Sequence, residues 1–348
     1  MHLKEKMKRF FILITFICLV QISTPLLGVG KEVHIYSARK EELILPLLKM
    51  FKEETGIGYK LITGKADGLL KRLEIEGKLS PADVFITVDA GRLQRAKEAG
   101  ILQPVDNSVL TSKIPKNLRD NENYWFGLSQ RSRTIIYNKN KIDKETLSTY
   151  EDLANAKWSG QLCIRSSTSI YNQSLVASMI VANGIIKTEK WAEGLVKNFA
   201  RPPSGGDTDL LKATAAGQCN IALANTYYLG RMKNSESEQI RKAAENLVVF
   251  WPNQGENDRG AHVNVSGAGI TKYSKNVDNG IALLEYLVKD ESQSWYAEVN
   301  NEYPVVNSVM MSDTLSEFGK FKADTLNLSK LGEMNGEAVK LMDRSGWE

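Results

Sequence analysis

The chain has 348 residues, 45 Lys and Arg against 41 Asp and Glu, a formal charge of +4, and 42% apolar residues with 26 Gly and 9 Pro. No low-complexity tract or internal repeat occurs, so the composition is that of a compact globular chain and excludes a disordered or fibrous one. Four of the cations, Lys4, Lys6, Lys8 and Arg9, stand with a single Glu5 in the first thirty residues, so the remainder is close to neutral. The mixed-sign runs Lys49 to Lys60 and Arg231 to Arg241 are solvated helix faces, and no basic stripe interleaved with aromatics remains to bind nucleic acid.

Residues 1–30 read as a targeting segment, with a positive start, an apolar run from Phe10 to Val20, and small residues at Gly28-Val29-Gly30. The run is about half of the roughly twenty residues that a membrane span needs, which favours a cleaved signal peptide over an anchor. Cys18 follows Ile17 without a lipoprotein pattern, and no cysteine near Lys31 could take a lipid. A soluble exported protein, in a Gram-negative periplasm, is expected. The remaining residues are enough for two domains.

Glu32 to Ser37 reads as a strand, Glu41 to Thr55 as a helix ended by Gly56, and Tyr59 to Thr63 as a second strand, giving a βαβ unit. Asp67 to Glu76 is helical, Ala82 to Thr87 a strand and Gly91 to Ala99 a helix. This alternation predicts an α/β fold with a mainly parallel sheet and a ligand site at the carboxyl ends of its strands. A long strand at Arg131 to Asn138 leads away from the first domain. A second alternation follows the Trp158-Ser-Gly160 turn, with helices at Tyr171 to Val181 and Asp209 to Ala216 and a strand at Ile221 to Ala224. Val263 to Ile270 reads as a strand, Gly280 to Val288 as a helix, and Thr314 to Glu348 as short helices packed on the second domain. Two lobes joined by extended segments would close on a ligand like a hinge. Cys163 and Cys219 each lie in or beside a strand-like run, which allows a disulfide in an oxidising compartment and equally two buried thiols.

Tyr227 and Tyr228 follow the strand at Ile221, where an α/β sheet holds its ligand. Adjacent tyrosines at a strand end commonly form one buried and one edge ring, and a lone Tyr171 is commonly a packing residue. Together, however, three phenols supply hard oxygen donors whose protons a trivalent cation displaces, and three phenolates cancel the charge of Fe(III). Softer metals prefer thiolate or imidazole, and His34 and His262 have no metal-binding spacing. Arg39 and Lys40 after the first strand, with Arg131 and Arg133 at the crossover, put positive charge where a small anion such as carbonate or citrate would complete an iron shell. Glu41 is the nearest carboxylate on that side, although a helix start favours Glu for its own reasons. No Ser-His-Asp set, zinc motif, phosphate loop or dinucleotide fingerprint points to an enzyme.

The chain resembles the periplasmic ferric-iron-binding proteins of ABC transporters, with the class II two-lobed solute-binding fold. The likeness spans Glu32 to about Asn307. It is carried by Tyr36-Ser-Ala-Arg39, Ser80-Pro-Ala-Asp-Val-Phe85, Arg131-Ser-Arg-Thr-Ile-Ile-Tyr137, Tyr171-Asn-Gln-Ser174, Ala224-Asn-Thr-Tyr-Tyr-Leu-Gly230 and Gly260-Ala-His-Val-Asn-Val-Ser-Gly267. The resemblance implies Tyr171, Tyr227 and Tyr228 as iron ligands and delivery of the iron to an inner-membrane permease and its ATPase; Arg39 and Arg131 are the anion-binding candidates from the charge at the rim, and a monomer is expected. It implies hinge strands crossing near Ser132 and Gly267, an N-terminal lobe of residues 31–131 plus 268–310, and a C-terminal lobe of 132–267 plus 311–348. Many members place His-Tyr or a single His after the first strand, where this chain reads Arg39-Lys40-Glu41, and some supply a Glu roughly at Val88. A metal held chiefly by the second lobe, with water or an anion in the remaining positions, is therefore expected. The rival reading is a binding protein of the same fold for a polyamine, thiamine or a phosphonate.

Overall fold

In the computed structural model, residues 32–348 are described; the targeting segment and Cys18 lie outside them. One eight-stranded sheet runs through the chain in the order β2-β1-β3-β8-β4-β6-β5, with β7 also paired to β4. Its strands are β1 (Glu32–Ser37), β2 (Gly58–Thr63), β3 (Val84–Val88), β4 (Phe126–Asn138), β5 (Leu162–Cys163), β6 (Ile221–Asn225), β7 (Leu247–Phe250) and β8 (Val263–Ile270).

The first half is a βαβ unit extended by a third strand. Helix α1 (Glu41–Thr55) buries Ile44, Leu47, Leu48 and Phe51, an i, i+3, i+4, i+7 stripe, and stops at Gly56 with φ +70°. Helices α2 (Ala66–Glu76) and α3 (Ala90–Glu98) follow β2 and β3. Strands β1, β2 and β3 are parallel, so Ser37, Thr63 and Val88 end on one edge. The second half contains α4 (Ile170–Asn183), α5 (Ile185–Lys197), α6 (Asp207–Ala215) and α7 (Thr226–Lys233).

The sheet is less parallel than the alternation of elements suggests: β3 with β8, and β4 with β6, β7 and β8, are antiparallel. The reason is β4, which pairs with β8 from Phe126 to Ser132 and with β6 from Arg133 onward. One strand thus serves both halves and must run against strands of each. Gly267 is required by this close pairing, because a Cβ there would collide with the Phe126 carbonyl.

Helices α8 (Val277–Leu287) and α9 (Asp290–Glu298) precede a loop in which Asn301, with φ +55°, lies against Gly230 of α7. The carboxyl-terminal helices α10 (Ser329–Glu333) and α11 (Asn335–Arg344) do not pack on the second half alone. α10 contacts both α3 and α4, and α11 contacts α4 and α5. Trp347, 1% exposed, anchors this end by stacking edge-on against Trp191 and Phe199 and donating its indole N–H to the Arg165 carbonyl. Cys163 and Cys219 form a disulfide between β5 and the turn entering β6, with Cα atoms 5.8 Å apart. No helix among the described residues is long and apolar enough to cross a membrane.

Candidate metal centre

The register of β6 against β4 sets Asn225 opposite Arg133, at the point where β4 changes partners. The chain then turns at once into α7, whose first turn carries Tyr227 and Tyr228. Asp207, the first residue of α6, accepts the Asn225 backbone N–H at 3.0 Å and so fixes the exit of the strand. Tyr171 lies in the first turn of α4. The hydroxyls of Tyr227 and Tyr171 are 3.2 Å apart, and the rings of Tyr227 and Tyr228 stack with centroids 4.3 Å apart. The three tyrosines nominated from the sequence therefore meet, although 56 residues separate Tyr171 from Tyr227.

Three arginines surround them. Arg131 on β4 is 1% exposed, with its guanidinium carbon 5.5 Å from the Tyr171 ring centroid. Its Nη1 donates to Ser266 Oγ at 2.8 Å, while Nε and Nη2 have no hydrogen-bond partner among the described residues. A buried guanidinium with open donors is costly unless an acceptor fills the gap. Arg165 lies 5.4 Å from the same ring, and Arg231, one turn along α7, lies 4.9 Å from Tyr227 and 5.7 Å from Tyr228.

Burial, then the neighbouring phenols of Tyr171 and Tyr228, push Tyr227 well above the usual phenol range, with Arg131 acting against them. Tyr228 is pushed up to about 12, first by burial and then by Tyr171 and Asp207. Burial opposes the charge on Arg131, but the facing Tyr171 and Tyr227 oxygens, Glu302 and Asp89 outweigh it and raise its pKa. Without a cation the two α7 phenols are thus neutral near pH 7. A metal that binds them must be Lewis-acidic enough to release their protons.

The remaining sequence candidates do other work. Arg133 is buried on Asp207 at 3.0 Å and donates Nε to Asn172 Oδ1 at 2.9 Å, so it braces α4 and α6 and is not at a rim. Arg39 is 4% exposed, with Nη1 3.1 Å from Glu302 Oε2 and Nε without a partner among the described residues. Glu302 also accepts from Ser129 Oγ at 2.5 Å, and despite burial Arg39 and Arg131 hold its carboxyl below the usual range. Lys40 pairs with Glu42 at 3.3 Å, and Glu41 is exposed. Tyr36 offers no first-half phenolate, because its hydroxyl is bound to Glu76 at 3.0 Å. His262 is buried and, through burial and the nearby Arg259, held well below the usual imidazole range. No group of three or more His, Cys, Asp or Glu able to hold a metal occurs among the described residues.

Sequence reading missed Asp89, which has φ +84° and no exposure. It caps α3 through the Gly91 N–H at 2.9 Å, and accepts from Ser174 Oγ of α4 at 2.7 Å and from Asn264 Nδ2 of β8 at 2.9 Å. Glu302 and Asp207 were missed too. Their partners lie 263 and 74 residues away, beyond any local pattern, although Asp207 at a helix start after Gly205-Gly206 was a visible N-terminal signal.

The family model described as bacterial extracellular solute-binding protein matches residues 80–323. The chain is 47% identical over 321 residues to iron uptake protein A1 of Synechocystis sp., covering 92% of this chain and 89% of that one. It is 26% identical over 326 residues to the major ferric iron-binding protein of Neisseria meningitidis serogroup B, covering 93% and 95%. A Trichodesmium protein (IdiA, FutA), solved in complex with iron and citrate ligands, matches with a TM-score of 0.88 and 52% identity over 91% of this chain and 100% of that one. These relatives are solute-binding transport proteins, not enzymes. The chain belongs to the bacterial extracellular solute-binding protein family and has its two-lobed α/β fold.

Proposed function

We propose that this protein binds Fe(III) between its two lobes through the phenolates of Tyr171, Tyr227 and Tyr228, with a synergistic anion, and carries it through the periplasm to an inner-membrane ABC permease and its ATPase. The observation that carries this reading is the convergence of three phenols beside Arg131, whose buried Nε and Nη2 lack partners among the described residues. Hard oxygen donors suit Fe(III), and three phenolates balance its charge. A carbonate or a carboxylate of citrate would give Arg131 the acceptor it lacks and supply the oxygens that Arg39-Lys40-Glu41 does not. Relatives named for iron uptake and ferric-iron binding support the cargo, and the relative solved with iron and citrate supports an anion.

Arg39 shares Nη1 with Glu302, and its Nε, which has no partner among the described residues, would be left for an anion. The moving bodies are residues 31–131 plus 268–310 and residues 132–267 plus 311–348, hinged on β4 near Ser132 and β8 near Gly267. The test is a visible-absorption titration of the protein from Lys31 onward with ferric nitrilotriacetate, with and without bicarbonate or citrate. A phenolate-to-iron charge-transfer band saturating at one iron per chain is expected. Absence of the band under every anion would refute the site.

A further inference from the structure

A second feature lies on the edge of the sheet where β1, β2 and β3 end. A cavity of about 500 Å³ opens there, lined by Arg39, Lys40, Glu41, Lys65, Asp67 and Arg92. We infer that this cavity is a separate subsite for the free carboxylates of a polycarboxylate chelator, so that the cargo is a ferric–polycarboxylate complex and not iron with carbonate alone. The inference rests on the iron reading above and specifies the form in which the cargo is taken.

Four independent observations support it. The first is charge: four cations stand against two carboxylates, and Asp67 is already occupied by Arg92 at 3.2 Å and Arg95 at 2.8 Å. Lys65 is exposed and makes no ion pair among the described residues. The second is the backbone. The starts of α1 and α2, 15 and 11 residues long, both border the cavity, and neither N-cap, Lys40 or Lys65, supplies a side-chain acceptor to the first turn. Their positive ends and free amides favour an anion. The third is Arg39, a wall residue that is 4% exposed and has an Nε without a partner. A buried donor of this kind calls for an acceptor that the protein does not provide.

The fourth is position. Arg92 follows Gly91, and a Cβ on Gly91 would stand 3.5 Å from Ser174 Oγ and 3.8 Å from Ile170 Cδ1, both on α4 beside Tyr171. Arg92 of the cavity lining is thus one residue away from a contact with the helix that carries one of the phenols. Its volume falls within the about 300–1,000 Å³ usual for small-molecule sites. Carbonate would fill little of it, whereas a chelator with several carboxylates could leave one arm on iron and seat the others on Lys40, Lys65 and the two helix starts.

The experiment compares the wild type with a Lys40→Gln/Lys65→Gln variant. Iron affinity is measured by the charge-transfer band once with citrate and once with bicarbonate as the only added anion. The ratio of the citrate-supported to the bicarbonate-supported affinity should fall about tenfold or more in the variant. An unchanged ratio overturns the inference. If the wild type gives no band with either anion, the iron reading fails, and the subsite is judged by calorimetry of citrate alone with the iron-free protein. Binding in the wild type that is lost in the variant supports the subsite, and no binding in the wild type overturns it.

Discussion

Replacing Tyr228 by Phe would remove one donor of the proposed iron site and leave the ring against which Tyr227 packs, 4.3 Å away. Its phenol titrates at about 12, so at pH 7 its proton must be removed against about five pK units, or about 7 kcal/mol. The iron–oxygen bond must exceed that cost, and the proton released makes affinity rise tenfold per pH unit for each phenol bound. The Tyr228→Phe variant therefore releases one proton fewer per iron than the wild type. We predict that competition against nitrilotriacetate, followed by the charge-transfer band from pH 6.0 to 7.5, gives affinity curves that diverge by one decade per pH unit, about 30-fold over the interval. The competitor's own protonation cancels between the two proteins. The denaturant midpoint should move by no more than about 1 kcal/mol of stability, since only a hydroxyl is lost. Parallel curves would refute Tyr228 as a phenolate ligand, whatever their offset.

Asp207→Asn should cost about 3 kcal/mol in urea unfolding, because it leaves the fully buried Arg133 unpaired. It should also weaken the iron band, since the same carboxylate holds the Asn225 N–H; full stability in this variant would show that the pair is not the brace described. Cys163→Ala/Cys219→Ala reopens a loop of sequence separation 56 and should lower stability by about 4 kcal/mol, read as the loss of a reductant-sensitive melting shift. Glu302 has a folded-state pKa below its ordinary 4.5, so its contribution is complete above that value and is lost as pH falls through the lowered one. Glu302→Gln should therefore flatten the stability profile below about pH 4.5, and identical acid profiles would exclude Glu302 as a source of acid sensitivity.

The elements were legible where local rules decide them. The Glu41–Thr55 helix agrees to the residue, because its apolar stripe and Gly56 mark both the face and the stop. The tyrosine pair was legible because a strand ending at Asn225 must present the next residues at a sheet edge. What the sequence did not announce depends on β4. Local periodicity shows a strand at Arg131 to Asn138, but not that it begins at Phe126 and belongs to both halves of the sheet. Three of the four antiparallel pairings, those of β4 with β6, β7 and β8, involve that one strand. Arg133 and Arg131 look alike in sequence, two residues apart on one strand face, yet one meets Asp207 and the other keeps two open nitrogens. Only the long-range placement of Asp207 separates a brace from a binding group.

That separation bears on how the proposed site could take its metal donors from one half and still join both. Its three phenols lie on α4 and α7, while Tyr36 of the first half is bound to Glu76. The halves are connected instead by Asp89, which takes Ser174 of the tyrosine-bearing α4 and Asn264 of β8, and by Glu302, which takes Arg39 after β1 and Ser129 on β4. These links are made by protein groups alone, so joining the lobes does not rest on iron bonds from both sides. A ligand shifts a conformational balance only by its difference in affinity for the two states. With all three phenols on one side, most of the iron's own bonds would be the same open or closed. In the proposed site an anion held by Arg131 and the first-half cavity would be the component whose contacts differ between the two states, and so the component through which closure would be coupled to loading.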